Sequence, residues 1–242
     1  MQDILDIQQQ GGVMRLTMNR PERLNALNPA LATALRECFQ GLYRRKDIRV
    51  VILQGAGKSF CAGLDLKEQT PGKAVGAAEM MDVQYSIRDI MIAMRRCPQP
   101  IISVVQGAAS GGGFALALAS DIRLATPDAR MNASFLRIGL TGCDMGVSYF
   151  LPRMVGSSVA AQYLLTGRFM DAARAHALGL VSMVAPLDEL QQEAPGHSLD
   201  MGSLEAVMAM EDRQQILCTQ SEDFTEGLQA FLEKREPRYT GR

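Results

Sequence analysis

VQGAASGGGFALALASDIRLAT, residues 105–126, holds the end of a strand, a glycine turn and an apolar helix in one run. The β-branched residues Ile101, Ile102, Val104 and Val105 lead into a small-residue turn that ends in Gly111-Gly112-Gly113. An alanine-rich helix is predicted to begin at Phe114 and run to Ala119. Glycine permits positive φ and lets another group approach the main chain closely. The first N–H groups of a helix have no partner inside it, and the helix dipole adds partial positive charge there. A developing negative oxygen could therefore be held at Gly112, as in an oxyanion hole. The same pattern also fits an ordinary strand-to-helix turn packed on a sheet, and at this point both readings stand.

The rest of the chain reads as one α/β protein. Its 242 residues are enough for a full hydrophobic core. A net charge of −1 and a pI near 6.2 imply no general attraction to nucleic acid or to anionic membranes. No apolar run is long enough to span a membrane. Five cysteines, Cys38, Cys61, Cys97, Cys143 and Cys218, show no CxxC spacing. A reduced, cytoplasmic protein without structural zinc is expected, and the polar N-terminus does not resemble a secretory signal.

Strands are predicted over 13–19, 50–53 and 180–184, and helices from the Asn28-Pro29 cap to the basic residues 44–46, over 79–96 and over 204–234. Ser157 and Asp171 are expected to cap two further helices. Residues 70–78 read as a loop. The run Gly55-Ala56-Gly57-Lys58-Ser59 imitates the end of a phosphate-binding loop, but position 52, where that motif needs glycine, is Ile52. A surface turn is the better reading.

Ala62-Gly63-Leu64-Asp65 and Gly107-Ala108-Ala109-Ser110-Gly111-Gly112-Gly113 resemble the crotonase (enoyl-CoA hydratase/isomerase) family. LTMNRPERLNAL (16–27), ALASDIRLATPDARM (117–131), LTGRFMDAARAHALGLV (165–181) and EDFTEGLQAFLEKREP (222–237) continue the resemblance in the same order. It implies a ββα spiral core over 1–185 and a helical C-terminal trimerisation region over 186–242. It also implies acyl-CoA thioester substrates, a homotrimer or a dimer of trimers, and neither a metal nor a redox cofactor. The two oxyanion-hole N–H groups fall on Ala62 and Gly112. The CoA-binding positions fall on Arg23, Leu24, Ala62, Asp65, Gly112, Phe231 and Lys234.

The chain departs from this pattern where proton transfer is at stake. Family members that hydrate enoyl-CoA use two glutamates, and the matching positions here are Ala115 and Phe135. Neither side chain can move a proton. Asp144, in Gly142-Cys143-Asp144-Met145-Gly146, is the candidate acid/base, with a helix N-cap as its alternative role. Enolate chemistry of the hydratase/isomerase type, nucleophilic attack by Asp144 in a hydrolase or dehalogenase, and silent acyl-CoA binding are the three readings to separate. His176 and His197 fit no Ser/His/Asp triad. Met80, Met81 and Tyr85 could line an acyl pocket or belong to the core. Between Val184 and Ser203 the chain is shorter than the family pattern, which has a further helix there.

Overall fold

The computed structural model describes residues 3–68, 76–196, 225–226, 229–230, 233 and 235–238. In chain order these include β1 (Leu5–Gln10), β2 (Val13–Met18), α1 (Pro29–Leu42), β3 (Val50–Gly55), α2 (Ala77–Arg96), β4 (Ile101–Val105), β5 (Ala108–Ser110) and α3 (Gly112–Ala119). They continue with β6 (Ile122–Ala125), β7 (Arg130–Asn132), α4 (Val147–Val155), α5 (Ser157–Thr166), β8 (Met170–Asp171), α6 (Ala172–Ala177), β9 (Met183–Val184) and α7 (Leu187–Gly196). By its contacts the chain divides into Met1–Met201 and Gly202–Arg242. The helix α7 therefore belongs to the first unit, whereas the resemblance implies a C-terminal region that begins at 186. A helix does occupy the shortened stretch after Val184.

Six strands form the main sheet in the order β1-β2-β3-β4-β6-β9. Within this sheet β1 and β2 pair antiparallel, and the other four pairs are parallel. All residues of β3 and β4 are buried. This explains their largely apolar character, since a central parallel strand is covered on both faces. A second, three-stranded sheet, β5-β7-β8, stands beside the first. Because β4 and β5 are separated only by Gln106 and Gly107, one chain passes from the large sheet to the small one just before the triple glycine.

The helices follow from equally local causes. Pro29 opens α1, and the Asn28 side chain accepts the Leu31 N–H at 2.9 Å. Leu31, Leu35, Phe39 and Leu42 then lie on its buried face. Burying each contributes roughly 1.5–3 kcal/mol. Asp171 caps α6 through the Arg174 N–H at 2.7 Å, as expected. Ser157 does not cap α5: Gly156 takes the cap position, and Ser157 is the first helical residue. All eight residues of α3 are buried, which explains why that helix has no polar face.

Among the described residues, no helix is long and apolar enough to cross a membrane. The predicted helix over 204–234, the loop residues 70–75, His197, Cys218, Phe231 and Lys234 lie wholly or mostly outside the described residues. Within Gly202–Arg242, Arg235 forms ion pairs with Glu226 and Glu233, both at 2.6 Å.

Candidate active site

Two bends meet at the site, and each is held in place by main-chain hydrogen bonds. One is Cys61-Ala62-Gly63-Leu64-Asp65, which follows β3; the other is Ser110-Gly111-Gly112, which leads into α3. Cys61 and Ala109 form a parallel bridge: the Cys61 N–H donates to Ala108 and the Ser110 N–H to Cys61, each at 3.0 Å. The approach is so close that a Cβ on Gly113 would stand 2.0 Å from the Cys61 carbonyl oxygen. Gly63 has φ +94°, and its Cβ would meet the Ser110 carbonyl oxygen at 2.7 Å and the Gly112 nitrogen at 3.4 Å. The small residues that marked both stretches are therefore required by the contact between them.

The geometry corrects one assignment. The Ala62 N–H donates to the Leu24 carbonyl at 3.0 Å, so it is not a free donor. Leu64 supplies the free group instead. It pairs with Leu27 in a parallel bridge, in which the Leu27 N–H donates to Gly63 (2.7 Å) and the Asp65 N–H donates to Leu27 (2.9 Å). Groups alternate along extended chain, so the N–H of Leu64 itself faces away from Leu27. Among the described residues, neither the Leu64 N–H nor the Gly112 N–H has a hydrogen-bond partner. The sequence reading placed this donor two positions too early, because the hydrogen bond from the Ala62 N–H to the Leu24 carbonyl that decides between the two amides leaves no mark in the sequence.

Side chains flank this pair. A Cβ on Gly112 would meet Leu27 Cδ1 at 2.8 Å and Met145 Sδ at 3.2 Å, so these residues flank the amide. The Phe135 ring comes within 3.4 Å of the corresponding position on Gly111. Ala115 is buried one helical turn further along α3. The two positions where the resemblance implies glutamates in hydrating members thus present a methyl group and an aromatic ring.

Asp144 is half-buried beside Met145. Its Oδ1 accepts the Met145 N–H at 2.7 Å and a hydrogen bond from Gln84 of α2, while its carbonyl accepts the Val147 N–H at 2.9 Å. It does not cap α4, whose cap position belongs to Gly146 at φ +82°. Capping is thereby excluded as the role of this carboxylate. The loop is anchored below, where a Cβ on Gly142 would fall 2.0 Å from the Leu164 carbonyl oxygen.

Asp65 is less available to a ligand than the resemblance implied. It is only 5% exposed and pairs with Arg20 at 2.9 Å. Burial pushes its carboxyl up, but hydrogen bonds from Arg20 and the Lys67 N–H, with the charges of Arg20 and Arg23, outweigh this and leave it below its ordinary value. Arg20 also reaches Glu68 at 2.7 Å. Asn25 is fully buried, accepts the Arg20 N–H at 2.9 Å and donates to Ser59 at 2.7 Å. Arg20 and Asn25 thus tie the 20–27 loop to the first bend, a role the sequence reading missed. Arg23 is exposed, and Leu24 holds a left-handed conformation at φ +51°.

A cavity of about 190 Å³ lies beyond Leu64, lined by Leu27, Ala32, Leu64, Val83 and Ile87 among others. Met80, Met81 and Tyr85 are exposed, so they are not core. Burial pushes the Cys61 thiol up to about 12, which makes it a poor nucleophile. His176 is exposed and bonds its ring to the Val181 carbonyl at 3.0 Å, remote in sequence from either bend. Among the described residues, no group of three or more His, Cys, Asp or Glu could hold a metal.

Known proteins share this arrangement of chain. The family model for enoyl-CoA hydratase/isomerase matches residues 8–197. The chain is 33% identical to 1,2-epoxyphenylacetyl-CoA isomerase of Escherichia coli over 252 aligned residues, covering 96% of each. Enoyl-CoA hydratase from Bacillus anthracis superposes with a TM-score of 0.77 at 30% identity, covering 100% of both chains. That from Mycobacterium smegmatis gives 0.77 at 32%, covering 98% of this chain and 99% of its own. With its spiral of strands, its paired bends and these relatives, the chain belongs to the enoyl-CoA hydratase/isomerase (crotonase) family of enzymes.

Proposed function

We propose that this enzyme isomerises an acyl-CoA thioester through an enolate held between the N–H groups of Leu64 and Gly112. One observation carries the reading. Two main-chain donors without partners among the described residues sit on bends in direct contact, with the Cβ position of Gly63 only 3.4 Å from the Gly112 nitrogen. Two preorganised donors about 3 Å from a developing oxyanion stabilise it without reorganisation during the reaction. CoA lies along the 20–27 loop, with Arg23 and Leu24 at its adenine end, in a homotrimer or a dimer of trimers.

Asp144 moves the proton. Its carboxylate takes a proton from the carbon next to the thioester, and the electron pair of that C–H bond passes into the enolate, whose charge rests on the carbonyl oxygen. In a 3-enoyl thioester the same carboxyl returns the proton to the γ carbon, the double bond moves to the α–β position, and the carbonyl reforms. One carboxyl suffices for this cycle. Hydration is disfavoured because Ala115 and Phe135 offer nothing to activate a water. The isomerase among the relatives supports the same choice.

The test is exchange of α-protons with D2O, followed by mass spectrometry on phenylacetyl-CoA and butyryl-CoA, alongside double-bond migration in trans-3-hexenoyl-CoA. Exchange and migration are expected in the wild-type protein and are expected to disappear in Asp144→Asn. Wild-type turnover unaffected by that substitution would remove Asp144 from the mechanism. CoA thioester binding with no exchange at all would make the protein a silent binder. Release of free CoA dependent on Asp144 would point to nucleophilic chemistry instead.

A further inference from the structure

We propose that Gln84 is a positioning residue for Asp144, fixing which carboxylate oxygen receives the proton; this deepens the function proposed above and rests on it. Both hydrogen bonds to the carboxylate fall on Oδ1. One comes from the Met145 N–H at 2.7 Å, and the other from the Gln84 amide nitrogen of α2. Among the described residues, Oδ2 has no partner. A carboxylate held by one oxygen presents its other oxygen as the basic lobe, with its lone pairs unengaged.

The two donors come from different parts of the fold. The Met145 N–H belongs to the residue that follows Asp144, where Met145 itself takes φ +48°. A turn donor alone fixes the oxygen but leaves the carboxylate plane able to rotate about the Cβ–Cγ bond, a broad torsion. Gln84 is 60 residues distant in sequence and reaches across from α2, so it fixes that plane from outside the loop. An ionised carboxylate is an acceptor only, which requires the amide NH2 rather than its oxygen to face Asp144. On α2, Gln84 stands next to Val83, which lines the cavity beyond Leu64. The helix that borders this cavity thus also aims the base.

The experiment compares Gln84→Met and Gln84→Glu with wild type and Asp144→Asn, using the same α-proton exchange and double-bond migration. Gln84→Met preserves length and removes the donor. It is expected to lower kcat about 10-fold while KM stays within about 2-fold, as loss of one hydrogen bond to a charged group implies. Gln84→Glu sets two carboxylates face to face and is expected to lower kcat further, again with little change in KM. Thermal melts of both variants should match wild type, since Gln84 is exposed. Gln84→Met with wild-type kcat, while Asp144→Asn is inactive, would overturn the positioning role and leave the proposed function standing. A parallel fall in kcat, affinity and melting temperature would show a merely structural role and overturn it too. Full activity in Asp144→Asn, or none in wild type, would instead overturn the function on which it depends.

Discussion

Substituting Gly63 by Ala should separate the two bends, and the structure allows the effect to be worked out. The added methyl carbon would lie 2.7 Å from the Ser110 carbonyl oxygen. Carbon–oxygen contacts settle at about 3.3–3.6 Å, so one bend must retreat by roughly 0.6 Å or more. Catalytic groups need to be held within about 0.5 Å of their productive geometry. The displacement therefore costs on the order of one oxyanion donor, or about 100-fold in rate. Positive φ at +94° adds backbone strain of about 1–3 kcal/mol. That is a fraction of the roughly 5–15 kcal/mol by which domains are stable, so the variant should still fold.

Gly179→Ala is the matched control. Its φ is +71°, and nothing stands within 4 Å of the new methyl group. It carries backbone strain without the collision. Both variants should melt lower, by about 2–4 °C for each kcal/mol lost in a domain of this size. Only Gly63→Ala should lose α-proton exchange, measured on phenylacetyl-CoA in D2O well below either melting point. Wild-type exchange in Gly63→Ala would refute the argument, because it would mean that contact between the bends is irrelevant to the chemistry. Equal losses in the two variants would refute it as well.

Two further predictions concern the frame of the site. The Asp65 carboxyl lies below its ordinary value of 3.8, so the folded state favours its ionised form. Its contribution to stability is therefore whole above that value and is lost as pH falls through the lower folded value. Asp65→Asn should destabilise the protein by about 1–3 kcal/mol in urea unfolding at pH 6, with the difference from wild type narrowing below pH 4. A gap that widened in acid would contradict the assigned sign. Arg123 is buried and donates to the carbonyls of Leu180 at 2.7 Å, Asp121 at 3.2 Å and Ser120, around the C-terminal end of α3. Arg123→Met leaves those oxygens unsatisfied and should cost about 3 kcal/mol or more, read as a loss of chemical stability. A variant as stable as wild type would show that water satisfies them equally well.

The sequence exposed the parts of the fold that repeat or punctuate. Helix α1 was legible from Asn28-Pro29 and the helical spacing of Leu31, Leu35, Cys38 and Leu42, because cap and apolar stripe are local signals, although Phe39 rather than the half-buried Cys38 completes the buried face. The central strands β3 and β4 were legible from the apolar run Val50–Leu53 and from Ile101, Ile102, Val104 and Val105, interrupted only by the small Ser103. Helix α3 was expected from Phe114, yet it begins at Gly112: glycine is a poor helix former, and here close packing against Cys61 overrides its propensity. The Ser157 cap failed because Gly156 could take the cap position directly before it. At the site, Gly112 was reachable from the turn alone. Leu64 was not, since only the hydrogen bond from Ala62 to Leu24 shows which amide of the first bend stays free. Gln84 carried no signal at all: an exposed glutamine on a helix says nothing about a loop 60 residues away.

The amides of Leu64 and Gly112 belong to every amino acid except proline. A routine side-chain scan across the site would leave both groups in place, whatever it did to their surroundings. In the proposed mechanism, side chains around the carbonyl can thus be exchanged without removing either donor, and Ala115 and Phe135, at the positions where the resemblance implies acids, are the kind of replacement such an arrangement tolerates.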